Sequence, residues 1–600
     1  MLVSEGLSTP TSLFYRQSYT VRMPDPMNHL FEVELQLLEV DLSYPLVLKF
    51  PVWTPGSYLV RDYARHLQDM WIIDGDGHPL RWKKVDKNTW QVDPVDSLLG
   101  KPLSTVYIQY RVYAHELTVR TNHLTSTHGF FNGAALFLYA PERKEEAIEL
   151  RIVLPDPSWR IATSLRLISE GPVAQVFAAQ DFDELVDSPV EAGIHQAVDF
   201  DVLGKPHQLV VWGKGNLNLA QTVEDLQKIV ATTAQIFGDL PYASFLFLVH
   251  LTADGYGGLE HKCSTTIQFS RLEFHFPERY HRFLSLLAHE FFHVWNVKRL
   301  RPKALETFNY NQETCFSDLW FCEGATSYYE QLILLRAGVI TPQSFLRQLG
   351  DSISQLQRIP GRQVQSLAEA SFDAWIKLYR PHENSKNSQV SYYLKGGLVS
   401  LLLDLHIRHC SLGSQSLDSA LLELWEQFGC HEKGYSESDL KVSLENAAGR
   451  SLGEFFDAYI YGTHELDYNA FFNPFGLCLK TGFTHLAPPP YLGITFNGSG
   501  SIISSVDMGS PAQQAGLWAG DEVIALDGFK VSPGSLNDRL KGYAVHQVVK
   551  ITVFQDQELK TFSVALEPPR PDVYVVEPML EMLPEQEWLC RGWLGDGLFV

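Results

Sequence analysis

Cysteine is scarce in this 600-residue chain: there are seven, odd in number and widely scattered. Such a set does not make a disulfide framework, and it fits a reducing compartment. Positive charge is short as well. Lys and Arg total 48 against 70 Asp and Glu, a net charge of −22, which argues against nucleic acid or anionic membrane as a partner. No apolar run is long enough to span a bilayer. The opening residues Met1-Leu2-Val3-Ser4-Glu5-Gly6 carry neither a basic n-region nor an apolar h-region, so no signal peptide and a cytoplasmic location are expected. Tandem repeats and low-complexity tracts are lacking too. The apolar fraction is 45%, with 13 Trp, 25 Tyr and 35 Phe. That is enough to build large cores in about three or four domains.

The first third reads as β structure. Phe31, Val33, Leu35 and Leu37 alternate with polar residues, as do Val106, Ile108, Tyr110 and Val112, and Ile148, Leu150, Ile152 and Leu154. Period 2 with Pro and Gly between the runs predicts half-buried strands in sandwich-like sheets over residues 1–213. Two loops stand out, Trp53-Thr54-Pro55-Gly56-Ser57-Tyr58 with Arg61-Asp62, and His115-Glu116 with Arg120-Thr121-Asn122. Each on its own reads as a hydrogen-bonded structural loop.

After residue 213 the period changes. Val223, Leu226, Ile229, Val230 and Ile236 recur at helical spacing, and Gly238 is a plausible stop. A short apolar strand, Phe245 to Leu251, then leads into Gly257-Gly258-Leu259-Glu260-His261, where the glycines suit an edge strand that another backbone can approach. Helical segments continue to Asn473-Pro474, and Ser436 with Asp439 resembles a capping box.

Within this part lies His289-Glu290-Phe291-Phe292-His293, in an apolar run free of Pro and Gly. On a helix, residues four apart point the same way, so the two imidazoles can hold one Zn²⁺ and Glu290 can reach a water on it. By chance the pattern occurs in about one such chain in 20, so its surroundings matter. Zinc needs a third protein ligand and an open fourth position. Glu323, in a second helix-like apolar stretch, is the candidate; 29 residues separate it from His293. Glu330 is seven residues further on the same face and could accept a hydrogen bond from a ligand imidazole. Cys263, Cys315 and Cys322 flank the motif and read as small buried hydrophobes.

Pro488-Pro489-Pro490 reads as a spacer. Beyond it, Tyr491-Leu492-Gly493-Ile494, Gly520 to Gly528, a short helix near Ser535 to Lys541 and strands at Val548–Phe554 and Phe562–Leu566 form a separate unit. The last 30 residues are acidic and broken by Pro, with Trp588 and Trp593 as expected packing anchors.

His289-Glu290-Phe291-Phe292-His293-Val294-Trp295-Asn296-Val297-Lys298-Arg299 with Glu323-Gly324 resembles the glycyl aminopeptidase family of zinc metallopeptidases. These are gluzincins, distantly similar to aminopeptidase N. Trp53–Asp62, Gly257–His261 and Tyr328-Tyr329 look like further landmarks, and Tyr491–Leu566 looks like a PDZ domain. The resemblance implies a multidomain α+β chain. Its parts are an N-terminal β-sandwich-like domain (1–213), a mainly α-helical thermolysin-like zinc catalytic domain (214–473) and a C-terminal PDZ domain (485–568); the tail (569–600) lies outside the resemblance. It implies that His289, His293 and Glu323 bind zinc, that Glu290 is the general base and that Tyr393 donates to the oxyanion. Glu260, with Gly257 and Gly258, would receive a peptide's free N-terminus, although Leu259 and His261 depart from the aminopeptidase N motif. The expected activity is zinc-dependent removal of N-terminal residues, small ones such as Gly or Ala first, with a peptide or protein C-terminus at the PDZ domain. The alternatives are a zinc endopeptidase and a catalytically silent peptide-binding scaffold.

Overall fold

The alternating runs form strands because each can bury one face and hydrate the other. In a computed structural model of the chain, which describes residues 15–95, 103–498 and 500–598, all three fall in one seven-stranded sheet. Its long strand Leu30–Val40 pairs antiparallel with the central strand Gln17–Arg22 and with Ser104–Tyr113, and Gln17–Arg22 pairs parallel with Ile148–Val153. Phe31, Val33, Leu35 and Leu37 face a continuous apolar core. A four-stranded sheet (Arg160–Ala162, Val190–Gly193, His128–Phe131, His123–Thr125) and a three-stranded one (Leu46–Lys49, Thr89–Val92, Trp82–Asp86) complete this β layer.

A five-stranded sheet crosses residue 213, where the sequence alone suggested a domain boundary. Its order is Gln196–Val202, Lys205–Trp212, Phe245–Thr252, Ser264–Ser270, Tyr256–Glu260. Lys205–Trp212 pairs parallel with Phe245–Thr252, bridged in sequence by the helix Leu219–Phe237. Such a parallel pair needs a crossover of this kind. The chain clusters into two compact units. One is Met1–Glu224, Pro241–Tyr280 and Phe308–Glu313; the other is Asp225–Leu240, His281–Thr307 and Thr314–Val600. The insertion Phe308–Glu313 belongs to the first unit's core. Tyr310 is buried there, its hydroxyl donating to Asp183 at 2.6 Å, and Trp53 Nε1 donates to Asn309 O at 2.8 Å.

The second unit is helical up to Phe472. The helix Pro277–Phe292 carries His289 and Glu290, and His293 stands in the turn directly after it. Ser391 caps the helix Tyr392–Cys410, and Ser436 and Asp439 form the expected capping box. Against the helix Tyr392–Cys410 packs Trp320–Ala325, one wide π turn that passes into the α-helix Thr326–Arg336. Here Gly324 meets Gly396 backbone to backbone. A Cβ on Gly324 would lie 2.6 Å from Gly396 Cα.

A hairpin (Ile494–Phe496, Ile503–Val506), a four-stranded sheet (Phe529–Lys530, Glu522–Leu526, Val548–Gln555, Glu558–Ala565) and helices Pro511–Ala515 and Pro533–Leu540 enclose a separate small core. The last residues return to the helical part. Val573–Pro578 pairs antiparallel with Leu477–Gly482, and the helix Pro584–Leu594 follows. Trp593 is buried and donates from Nε1 to Tyr328 Oη at 3.0 Å, whereas Trp588 is exposed, contrary to the expectation of an anchor.

Because the Gly324–Gly396 contact leaves no room for a methyl group, Gly324→Ala should destabilise the second unit by about 1–3 kcal/mol, the usual cost of overpacking. Urea unfolding monitored by tryptophan emission measures this; an unchanged midpoint would mean the helices separate freely.

Candidate active site

The helix Pro277–Phe292 is buried from Phe283 onward, so its polar residues must be satisfied internally. His289 Nδ1 lies 2.7 Å from Glu330 Oε2, and Ser285 Oγ donates to Glu330 Oε1 at 3.0 Å. His293 Nδ1 donates to the backbone oxygen of Asn296 at 2.6 Å. With each Nδ1 bonded, each Nε2 keeps its lone pair for another partner. Both Nε2 atoms face the same carboxylate oxygen, Glu323 Oε2, at 3.5 Å from His289 and 3.2 Å from His293.

Asn296 ties this together. Its side-chain nitrogen donates to Phe321 O at 3.0 Å and to Cys322 O at 3.2 Å, carbonyls of the π turn that holds Glu323. Thr326 Oγ1 adds a bond to Cys322 O at 2.6 Å. One residue therefore orients His293 with its backbone and fixes the Glu323 turn with its side chain. Tyr393, at the start of the next helix, has its ring centroid 6.3 Å from that of His289, and its hydroxyl lies 2.9 Å from Tyr379 Oη.

The charge balance is uneven. Burial opposes charging His289, yet hydrogen bonds to Glu323 and Glu330 and the charges of Glu330 and Glu290 outweigh it and hold its pKa well above the ordinary value. Burial also opposes the Glu323 carboxylate, and His293 and His289 override it, drawing Glu323 down to about 2. A pocket with more carboxylates than cations suits a dication. Nitrogen and oxygen donors also suit zinc, and three of them about 2.0–2.1 Å from one ion stand about 3.3 Å apart. The donor set therefore fits zinc.

A second buried His₂Glu group, His128, Glu191 and His250, sits in the first unit. Its geometry differs. His128 Nδ1 is 3.0 Å from Glu191 Oε1 and His250 Nε2 is 2.9 Å from Oε2. These are ordinary hydrogen-bond lengths spread over both oxygens. His128 also stacks on Trp212 at 3.5 Å between centroids, and its Nε2 bonds His123 Nδ1 at 2.8 Å. This is a hydrogen-bonded triad joining strands His128–Phe131, Val190–Gly193 and Phe245–Thr252. Nothing in the sequence marks it, because its members come from scattered strands.

Gly257, Gly258 and Glu260 lie on the edge strand Tyr256–Glu260 of the first unit. Glu260 is 3% exposed, and its Oε1 has no hydrogen-bond partner. Gly56, at φ +84°, comes so close that a Cβ there would lie 2.5 Å from the Glu260 carboxylate oxygens. The Trp53–Tyr58 loop thus walls this carboxylate. Cys322 is buried as expected, but Cys263 is half-buried and Cys315 exposed.

Three family profiles match the chain: Peptidase M61 N-terminal domain over residues 18–194, M61 glycyl aminopeptidase over 282–399 and PDZ domain over 490–566. A crystal structure of an aminopeptidase N family protein from Idiomarina loihiensis is 31% identical, with TM-score 0.88, covering 96% of this chain and 100% of that one. More distant are a mutant M1 zinc metallopeptidase from Deinococcus radiodurans bound to a Tyr-Ser-Ala substrate (12% identity, TM-score 0.49, 75% of this chain and 94% of that one), and yeast LTA4 hydrolase with bestatin (13%, 0.45, 76% and 67%). No curated protein matches the sequence. No helix among the described residues is long and apolar enough to cross a membrane.

The Glu191 triad makes the first unit acid-sensitive. Burial raises a carboxyl pKa, but the charge and hydrogen bonds of His128 and His250 hold Glu191 down at about 2. Its contribution is full above the unfolded value of about 4.3 and is lost as pH falls toward about 2. Burial holds His250 below its ordinary value and, with neighbouring histidines, holds His123 at about 3. The unfolded chain therefore takes up these protons first, and stability should begin to fall below about pH 6.5. Glu191→Gln should cost about 3 kcal/mol at neutral pH, with the deficit shrinking below about pH 4.3. Urea unfolding at stepped pH reads both; a pH-independent deficit would point to lost packing instead.

Proposed function

The chain belongs to the M61 glycyl aminopeptidase family and is a hydrolase acting on peptide bonds, and from that premise we propose that it is a zinc-dependent aminopeptidase. The observation that carries this reading is the single point shared by His289 Nε2, His293 Nε2 and Glu323 Oε2. These three residues would hold Zn²⁺, which supplies Lewis-acid polarisation of the scissile carbonyl and lowers the pKa of a water. Glu290, buried on the same helix, takes the proton of the attacking water and later gives it to the leaving amine. The Tyr393 hydroxyl donates to the oxyanion, and its bond to Tyr379 supports that orientation. Glu330 keeps His289 in the tautomer that presents Nε2.

Glu260 is the residue proposed to take the substrate's α-ammonium. A buried carboxylate oxygen lacking any partner is costly unless a ligand supplies one, and this supports the assignment. Gly257 and Gly258 put no side chains on this edge strand, so an extended peptide can approach it closely. A preference for small N-terminal residues such as Gly or Ala accompanies the family reading. The domain over 485–568 is proposed to take a peptide or protein C-terminus beside Tyr491-Leu492-Gly493-Ile494, where strand Ile494–Phe496 pairs on one side only.

Metal analysis and turnover separate the roles. His293→Ala should lose the zinc, while Glu290→Gln should retain it and lose activity. A Glu290→Gln protein with full turnover would remove Glu290 as the base. Tyr393→Phe should lower kcat by about 100- to 1000-fold with KM little changed, since its bond matters in the transition state. An effect on KM alone would make Tyr393 a substrate-binding group.

A further inference from the structure

The edge strand that carries Glu260 is touched by a second charged residue with no counter-ion. Arg120 comes from the loop His115–Asn122, whose sequence alone reads as structural. Its Nη2 donates to Gly258 O at 3.0 Å, and its buried Nε has no hydrogen-bond partner. Among the described residues no carboxylate pairs with it; its only side-chain bond is to that backbone oxygen. The loop that bears the guanidinium is internally fixed. Tyr63 Oη donates to Arg120 O at 2.8 Å, Arg120 N donates to Thr118 Oγ1 at 3.2 Å, and Thr121 Oγ1 donates to Glu116 O at 2.6 Å. Beside it Gly257 leaves open space: a Cβ there would meet nothing nearer than Arg120 Nη1 at 3.7 Å.

A half-buried guanidinium and a buried carboxylate, neither neutralised, are expensive to keep. They belong to one strand edge, at Gly258 and Glu260. The strand positions to which they attach are two residues, about 7 Å, apart. An extended dipeptide places its ammonium and carboxylate about that far apart. Guanidinium groups also bind carboxylates through charge-assisted, often forked hydrogen bonds.

We propose that Arg120 is a specificity residue that takes the free α-carboxylate of a short peptide. Glu260 and Arg120 then form a cradle for a zwitterion, and the substrate class is dipeptides and other very short peptides with both ends free. The inference rests on the reading of Glu260 as the ammonium site. It adds the opposite end of the substrate.

The test compares glycylglycine, glycylglycinamide and N-acetylglycylglycine on the zinc-loaded full-length protein and its Arg120→Gln and Arg120→Lys variants. Wild type should favour glycylglycine over the amide by about 10- to 100-fold in kcat/KM, the range expected of a hydrogen bond to a charged group. Arg120→Gln should bring that ratio near one through loss on the free acid, and Arg120→Lys should restore part of it. A wild-type ratio near one overturns the proposal. So does an equal loss on acid and amide in Arg120→Gln, which would make Arg120 a pin for the edge strand. The acetylated peptide reads Glu260 separately: if blocking the amine costs nothing, the ammonium assignment fails while the acid-to-amide ratio still judges Arg120. Should none of the three be cut, the aminopeptidase reading fails. The same ratio is then taken from calorimetric binding constants, where no acid preference, or one that survives Arg120→Gln, overturns the proposal.

Discussion

Three electron-pair donors pointed at one another in a dry interior repel unless a cation or protons lie between them. That constraint governs the helical unit. His289, His293 and Glu323 are all buried, and every neighbouring bond turns them toward the shared point. Glu330 and the Asn296 backbone occupy the outer imidazole nitrogens, while the Asn296 side chain and Thr326 hold the turn that presents Glu323. The π geometry follows from this. A turn widened by one residue frees carbonyls, and here side chains from an adjacent segment take them up. The Gly324–Gly396 contact lets the helix bearing Tyr393 approach that turn without a side chain between. The cost of bringing the donors together is thus spread over two helices and a connecting turn.

The parts of this arrangement differ in how plainly the chain announces them. The helix with His289 and His293 was legible because a four-residue spacing maps directly onto one helical face. The strands around Phe31, Val106 and Ile148 were legible for the analogous reason at period 2. Glu323 was found by the need for a third ligand and by resemblance; no local period specifies a π turn. The strand Lys205–Trp212 and the parallel strand Phe245–Thr252 lie either side of residue 213, because a change from strand to helical pattern marks a crossover as readily as a domain boundary. Asn296 stands three residues beyond His293 in plain view, but the value of its amide depends on carbonyls 25 residues away. The Glu191 triad is harder still, since its three members come from three strands. Trp588 and Trp593 have equal sequence claims to burial, and only Trp593 is buried, because five residues along a helix is not one face.

The two His₂Glu clusters are instructive together. Residue types and burial are the same in both. What separates them is where the lone pairs aim. In one, each imidazole uses a nitrogen to hydrogen-bond the carboxylate, and the glutamate is fully consumed as an internal counter-ion. In the other, both Nε2 atoms converge on one carboxylate oxygen at 3.5 and 3.2 Å, and the opposite nitrogens are engaged elsewhere. The first arrangement fastens strands; the second keeps coordination capacity in reserve.

The antiparallel pair Leu477–Gly482 and Val573–Pro578 gives the small C-terminal domain an uncommon attachment. The chain leaves the helical unit on one strand of this pair and comes back on the other, so the domain is an insertion closed by a two-stranded clasp. After the clasp the chain supplies Trp593, whose indole bonds Tyr328 on the helix that continues from Glu323. A stop codon placed before Tyr491 would therefore do more than remove the inserted domain. It would also remove one strand of the clasp and the indole buried against the Tyr328 hydroxyl. Excision between residues 486 and 568, with a short turn joining the clasp strands, would leave both in place. The two deletions look equivalent on a linear domain map, and in three dimensions they are different molecules.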